Sequence, residues 1–424
     1  MTRMDERTQE LIDLTKNKFG LWDYSLERYS YNRSVNSFNE TVYTLSMEWF
    51  PNLVLEPVDE DENPDGTAVI EINIHSRKFQ SAIFVMGQTF AKNGVTFASK
   101  NDIIKWIEQE TGLRYEQQFQ LRKEEEGELH FSECIDGVDV SPSGMIEVNY
   151  NQEGKLTLFS VHGHFPSEER VKLERYTLSF EKIEDIAKEQ LKLLEFPFFD
   201  QQRLVAAYAV EEIYVRNDQT STIPFEPIVD VKGYLKIDKP LTWDKPLKTT
   251  FERKEMKWHE EVTAEQAFSN EPSPDSLPIT EAEQEKCVRV VRDFLRQEYP
   301  NDSGIWIIKT LHRENGYIHA ILRATEQDSR VFQRKVNIMI DSKSLQAVNY
   351  MDNQMMLKMF DEFEIPEKVV ISKEEAFEKL KGKYELTPCY VYDFDQKQYV
   401  LCGKIDCQFG VNAATGDVVG LEEL

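Results

Sequence analysis

Apolar residues along this chain recur with two periods, one helical and one alternating, and the switches between them predict its elements. Leu11, Ile12 and Leu14 mark one side of a helix over residues 5–18, with Gly20 as its stop. Strand-like runs follow at 42–49, 68–74 and 79–85. Ser99 and Asp102 open a second helix, whose inward stripe is Ile103, Ile104 and Ile107 and whose end is Gly112. Strands around 114–122, 128–135 and 145–150 come next, and the turn over 149–156 sends the chain back. A third helix near 180–194 carries Ile183, Ile186, Ala187, Leu191 and Leu194, and one strand runs from Leu204 to Tyr214. Cys287, Val288, Val291, Phe294 and Leu295 form the core face of a further helix. After it, strands 305–312 and 317–324 flank Asn315-Gly316, a strong two-residue hairpin signal. A last helix at 373–381 leads to a hairpin over Asp395 and Gln396 and to a closing strand.

The same order recurs: a capped helix, a hairpin, then a strand returning across an Asp/Asn–Gly-type turn. The segment 372–377 is closed by 411–419, and the segment 280–283 is closed by 340–348. Val229 to Leu235 reads as a shortened closing turn. Between 239 and 278, Pro240, Pro246, Pro272, Pro274 and Pro278 exclude long regular elements and mark the main linker. Within it, Val262 to Phe268 echoes Ile371 to Phe377 and reads as a helix start cut short by Pro272. One helix covers one sheet face, so neighbouring units are expected to share or pair their sheets. The expected fold is α+β, in tandem units of one helix packed on a small antiparallel sheet. The expected organisation is an N-terminal pair over 1–170, a shortened middle unit with the start of the linker over 171–262, and a C-terminal pair over 263–424.

The stretch Val411-Asn412-Ala-Ala-Thr-Gly416-Asp-Val-Val419, preceded by the helix start at 371–377, resembles the PepSY module. The tandem arrangement is similar to the YcdB/YcdC repeated-domain family. The resemblance implies a PepSY/cystatin-like unit, whose last strand carries an Asp-Ala-x-Thr-Gly-Glu-Val-like sequence. This chain departs from it, with Asn412 in place of the acid and Ser344-Leu345 in place of Thr-Gly. The resemblance also implies inhibitory or peptide-binding roles, because such modules occur in protease propeptides. It implies no catalytic residue. The turn residues read as fold punctuation: Gly416 suits a left-handed turn, and Asp or Asn bonds the turn backbone.

Charge narrows the partners. With 76 acidic against 50 basic residues, the formal charge is −26. Phosphate binding needs clustered cations, so nucleic acid and an anionic membrane surface are not expected as partners. A protein or peptide partner of basic character is compatible with this field. The first residues lack the apolar core of a signal peptide, and no stretch reaches transmembrane length. Five cysteines, Cys134, Cys287, Cys389, Cys402 and Cys407, fit reduced thiols, and a cytoplasmic location is the expectation.

Candidate chemistry is sparse. No Gly-x-Ser-x-Gly elbow, phosphate-binding Gly-rich loop or His-Glu-x-x-His helix is present. The acidic run 59–64 has Pro64 where a calcium loop needs Gly, so a solvated loop is the better reading. His162 and His164 would share a strand face without an identified third ligand. A two-residue turn at Asn315-Gly316 would place His312 opposite His319, and one at Asp395-Gln396 would place Cys389 opposite Cys402. Such neighbours could hold a metal, alone or as a two-Cys, two-His set, or form a redox bridge. Plain buried cysteines are the competing reading. The six tryptophans, Trp22, Trp49, Trp106, Trp243, Trp258 and Trp306, read as core packing, and Glu124 to Glu126 and Glu422-Glu423 as solvated ends. No residue is assigned a catalytic, cofactor-binding or metal-ligating role, and no cofactor is expected. The leading expectation is a non-enzymatic protein- or peptide-binding protein, with protease-inhibitory or regulatory action as its variant. The alternatives are a metal-binding or hydrolytic protein using an inter-domain cleft, and an assembly protein pairing through sheet edges. Oligomeric state stays open.

Overall fold

The computed structural model describes residues 4–52, 63–163, 165, 168–225, 234–258, 261–325, 329–394 and 396–424. The first segment runs α1 (Glu6–Lys18), β1 (Tyr24–Val35), β2 (Thr41–Pro51), β3 (Ala68–Asn73) and β4 (Phe79–Phe84). The second runs α2 (Lys100–Thr111), β5 (Phe119–Glu125), β6 (Glu128–Ile135), β7 (Val138–Ser141), β8 (Met145–Tyr150) and β9 (Leu156–His162). The third has α3 (Phe180–Gln190), β10 (Leu191–Phe198), β11 (Arg203–Val210), β12 (Ile213–Arg216) and β13 (Thr222–Pro224). After β14 (Leu235–Leu241) and α4 (Ala264–Ser269), the fourth has α5 (Glu281–Glu298), β15 (Trp306–Glu314), β16 (Tyr317–Ala324), β17 (Lys335–Asp341) and β18 (Ala347–Asp352). Then come α6 (Gln354–Lys358), α7 (Lys373–Leu380), β19 (Glu385–Asp393), β20 (Gln398–Asp406), β21 (Phe409–Asn412) and β22 (Val418–Gly420). Helices are set beside several largely antiparallel sheets, an α+β fold.

Local chemistry starts the helices where the sequence places them. Thr263, Thr280 and Ser372 each accept a bond from the amide three residues on, and Gln266, Glu283 and Glu375 reach back to the cap amide. Losing such a hydroxyl costs about 1 kcal/mol. Asn270, in a left-handed conformation, ends α4 before Pro272. In the last closing turn Gly416 has φ +79°, and Asn412 Oδ1 accepts from the amides of Ala414 and Thr415.

The first two segments are meanders joined edge to edge at β4 and β9, where Ala82 faces Phe159. Leu11 and Ile12 of α1 and Ile103, Trp106 and Ile107 of α2 share one core with both meanders. Ala267 of α4 enters the same core. The proline-rich stretch is therefore strapped down where it passes this sheet: Tyr43 Oη donates to Glu271 O at 2.6 Å and Ser273 N to Thr41 Oγ1 at 2.8 Å. The four strands of the fourth segment and β14, paired with β15, form a separate five-stranded sheet, with Cys287, Val291, Phe294 and Leu295 of α5 packed on Ile308, Leu311, Ala320 and Ile338.

The third and last segments are interlocked. β10 and β11 form a hairpin, as do β19 and β20. The strand after each hairpin leaves it for the other: β12 pairs with β20, and β21 pairs with β11. Two residues make each step, Glu211-Glu212 and Cys407-Gln408. Lys404 Nζ lies 3.3 Å from both Glu212 and Asp406, tying the first step to the end of β20. One core encloses Ile183 and Ala187 of α3 and Ala376, Phe377 and Leu380 of α7. β7 links this assembly to the N-terminal sheet, antiparallel to β6 and parallel to β19.

Two expectations change, and one strand, β1, was not expected. The helix expected to 194 ends at Gln190, because Leu191 starts β10 and is buried in the shared core. The strand expected over 204–214 breaks at Glu211-Glu212, where the chain crosses between sheets. β1 lacks an apolar alternation because it is an outer strand whose middle residues, Glu27 to Ser30, are exposed. The closing turn expected at 229–235 falls largely outside the described residues.

Phe377→Ala removes a fully buried ring from the shared core and is expected to cost about 3–5 kcal/mol. Hydrogen exchange should then show protection falling in β11 as well as in β20. A loss confined to the last segment would show that the third and last segments are stabilised independently.

Candidate functional site

The paired hairpin residues lie where strand alternation puts them. Cys389 faces Cys402 across β19 and β20, and both are reduced and buried. Burial pushes each thiol up to about 12, the condition of an inert core cysteine. His312 faces His319 across β15 and β16, their rings stacked with centroids 4.9 Å apart. The two pairs sit in different sheets, and the cysteines join neither group of potential ligands found among the described residues. The two-Cys, two-His set is thereby removed.

Other singled-out residues resolve into fold roles. Asp341 Oδ1 accepts from the amide and hydroxyl of Ser344, each at 2.7 Å, so it shapes its own turn. Trp49, Trp106 and Trp306 are core residues, whereas Trp22 and Trp258 are more than half exposed, against the expectation of core packing. Lys16 lies over the Trp22 ring at 5.3 Å. His162 ends β9, while His164, residues 59–62 of the acidic run and Asp395 lie outside the described residues. A depression between α3 and α7 is lined by Asp185, Lys188, Glu189, Lys373 and Glu374, all charged residues, unlike the mostly hydrophobic lining of a small-molecule site. No helix among the described residues is long and apolar enough to cross a membrane.

Two features escaped the sequence reading. The first is Glu133, inaccessible to solvent on β6 near the junction with β7. Leu129, Phe131 and Glu133 alternate inward, so the signal was present: a carboxyl at an apolar position. Gly144 N donates to Glu133 Oε2 at 2.8 Å, and Oε1 is buried with no hydrogen-bond partner among the described residues. Burial outweighs that single donor and pushes the carboxyl up to about 8.

The second is an apolar surface on the segment after β18. Phe360 is buried, with the rings of Phe199, Phe332 and Phe363 at 5.6–5.9 Å. Backbone bonds clamp the segment to the β10–β11 hairpin: Leu204 N donates to Glu364 O and Glu364 N to Gln202 O, both at 2.9 Å. On this anchored base Met355 and Ile365 are 87% and 85% exposed, with Met356 and Met359 beside Met355 about half exposed. Asp361, Glu362, Glu364 and Glu367 are interleaved, against Lys358 and Lys368. Unbranched thioether side chains mould to many apolar shapes, and an exposed cluster marks a contact surface. The run Met355-Met356-Leu-Lys-Met359 was the signal that could have found it.

No protein-family model and no curated protein matches the chain. Among solved structures it is similar to the Bacillus megaterium YpeB C-terminal domain, at 8% identity and a TM-score of 0.25, over 82% of this chain and 97% of that one.

Glu133 gives a pH prediction. Its folded-state value, about 8, lies above the ordinary 4.5, so the folded state holds a proton the unfolded chain releases. Stability therefore falls as pH rises from about 4.5 to about 8 and levels off above. Glu133→Gln should match the parent at pH 5 and exceed it at pH 8 by on the order of a few kcal/mol. Denaturant titrations at the two pH values test this, and parallel profiles for the two proteins would refute it.

Proposed function

We propose that this chain is a non-enzymatic protein-binding factor of PepSY-like units, acting as a regulator through the surface at residues 351–370. The observation that carries the reading is the methionine cluster Met355, Met356 and Met359, exposed on a segment that Phe360 and the hairpin bonds hold in place. A preformed apolar surface loses little freedom on binding. Asp361 and Glu367 are paired with Arg330 and Arg203 of this chain, at 3.1 and 3.9 Å, and Glu362 and Glu364 with the overall charge of −26 favour a partner with cationic side chains flanking an apolar face. A basic amphipathic helix fits that description.

Assembly through sheet edges has less support. The outer strand β1 carries the exposed charges Glu27 and Arg28, and charges on an edge oppose pairing with a second copy.

Basic amphipathic peptides titrated against the full chain should bind, and the triple change Met355→Ser, Met356→Ser, Met359→Ser should weaken them at least about tenfold, or 1.4 kcal/mol. The sites are exposed, so thermal stability should be unchanged. Undiminished binding by the triple variant, or no binding by any peptide of this class, would end the proposal.

A further inference from the structure

The face of the five-stranded sheet turned away from α5 carries chemistry that the binding role does not use. Leu311 packs toward α5, so by strand alternation His312 and Glu314 point to the other face. His319 stands directly across from His312, and Tyr317 across from Glu314. The ligand atoms of His312, Glu314 and His319 all lie within 4.8 Å of one another. His312 Nε2 is 3.7 Å from Glu314 Oε2.

We propose that His312, Glu314 and His319 form a binding site for a divalent ion of the zinc class. Two imidazoles and one carboxylate are a donor set that zinc takes at metal–ligand distances of about 2.0–2.2 Å, with a fourth position left for water. A tetrahedron of that size sets its donors roughly 3.4 Å apart, so small side-chain rotations close the site on the ion. The hairpin makes the arrangement stiff: the two histidines are fixed by the β15–β16 register, and Glu314 follows two residues later on the same face. His319 is almost wholly buried, which limits its rotation.

A supporting residue stands behind the ligands. Asn337 on β17 has Nδ2 3.1 Å from His319 Nδ1, and its Oδ1 is buried with no hydrogen-bond partner among the described residues. Turned over, the amide presents Oδ1 to Nδ1–H, and that tautomer keeps the Nε2 lone pair for the metal. The second group of potential ligands, Glu128, His130 and Glu147, has one imidazole and two carboxylates, all half-exposed. It has fewer nitrogen donors and serves as an internal comparison.

The test uses the full chain, stripped with a chelator and titrated with zinc chloride by calorimetry, with elemental analysis after desalting. One zinc per chain is expected. Glu314→Gln, which preserves shape at a half-buried position, and His312→Asn should each lower zinc affinity at least tenfold while circular dichroism stays unchanged. Asn337→Ala should lower it by about ten- to a hundredfold, and Glu147→Gln should leave it unaltered. Absence of stoichiometric zinc would overturn the proposal. So would retention of parental affinity in Glu314→Gln, or a loss of binding that follows Glu147→Gln instead.

Discussion

The two-residue steps at Glu211-Glu212 and Cys407-Gln408 carry the chain out of one hairpin and onto the other. Neither hairpin keeps its own next strand, so neither of these sheets closes without the partner segment. The shared core follows from this geometry. Ile183 and Ala187 of α3 and Phe377 and Leu380 of α7 bury the same set of strand residues, among them Val215, Ile405 and Val411. Hydrophobic burial of this kind stabilises both segments as one unit, at roughly 25 cal/mol per Å² of apolar surface. The parallel pairing of β7 with β19 then extends the continuity into the N-terminal sheet.

Both proposed binding sites occupy positions this frame leaves over. The methionine surface lies where the segment after β18 must run back past the β10–β11 hairpin, and Phe360 fixes that path. The histidine pair lies on the sheet face that α5 does not cover. Both places are supported by regular elements, so their side chains are presented with little loss of order on binding. The buried cysteines show the converse: closely matched across two strands, they are held by desolvation in the protonated, unreactive state.

Local features were the legible ones. Capping residues such as Thr280 with Glu283 announced their helices, and Asn315-Gly316 announced its hairpin, because their chemistry operates over a few residues. The facing of His312 with His319 and of Cys389 with Cys402 followed from turn length alone. What stayed hidden was non-local. The sequence around Glu211 does not reveal that the strand beyond it joins β20, since that partner lies nearly two hundred residues away. Leu191 and Leu194 fit a helical stripe, yet pairing with β11 draws them into a strand, a tertiary choice that overrides local preference. Glu133 was legible in principle, as a charge at an inward position, but its burial depends on the sheet that forms around it.

The strand exchange also bears on how the polypeptide is made. The third segment leaves the ribosome well before β19 to β21, with the whole α5 sheet translated in between. At about 5–20 residues per second, β11 and β12 wait on the order of ten to forty seconds for their partners. During that interval Val205, Ala207 and Val215, all buried in the finished protein, belong to open strand edges that a ribosome-associated chaperone would have reason to cover.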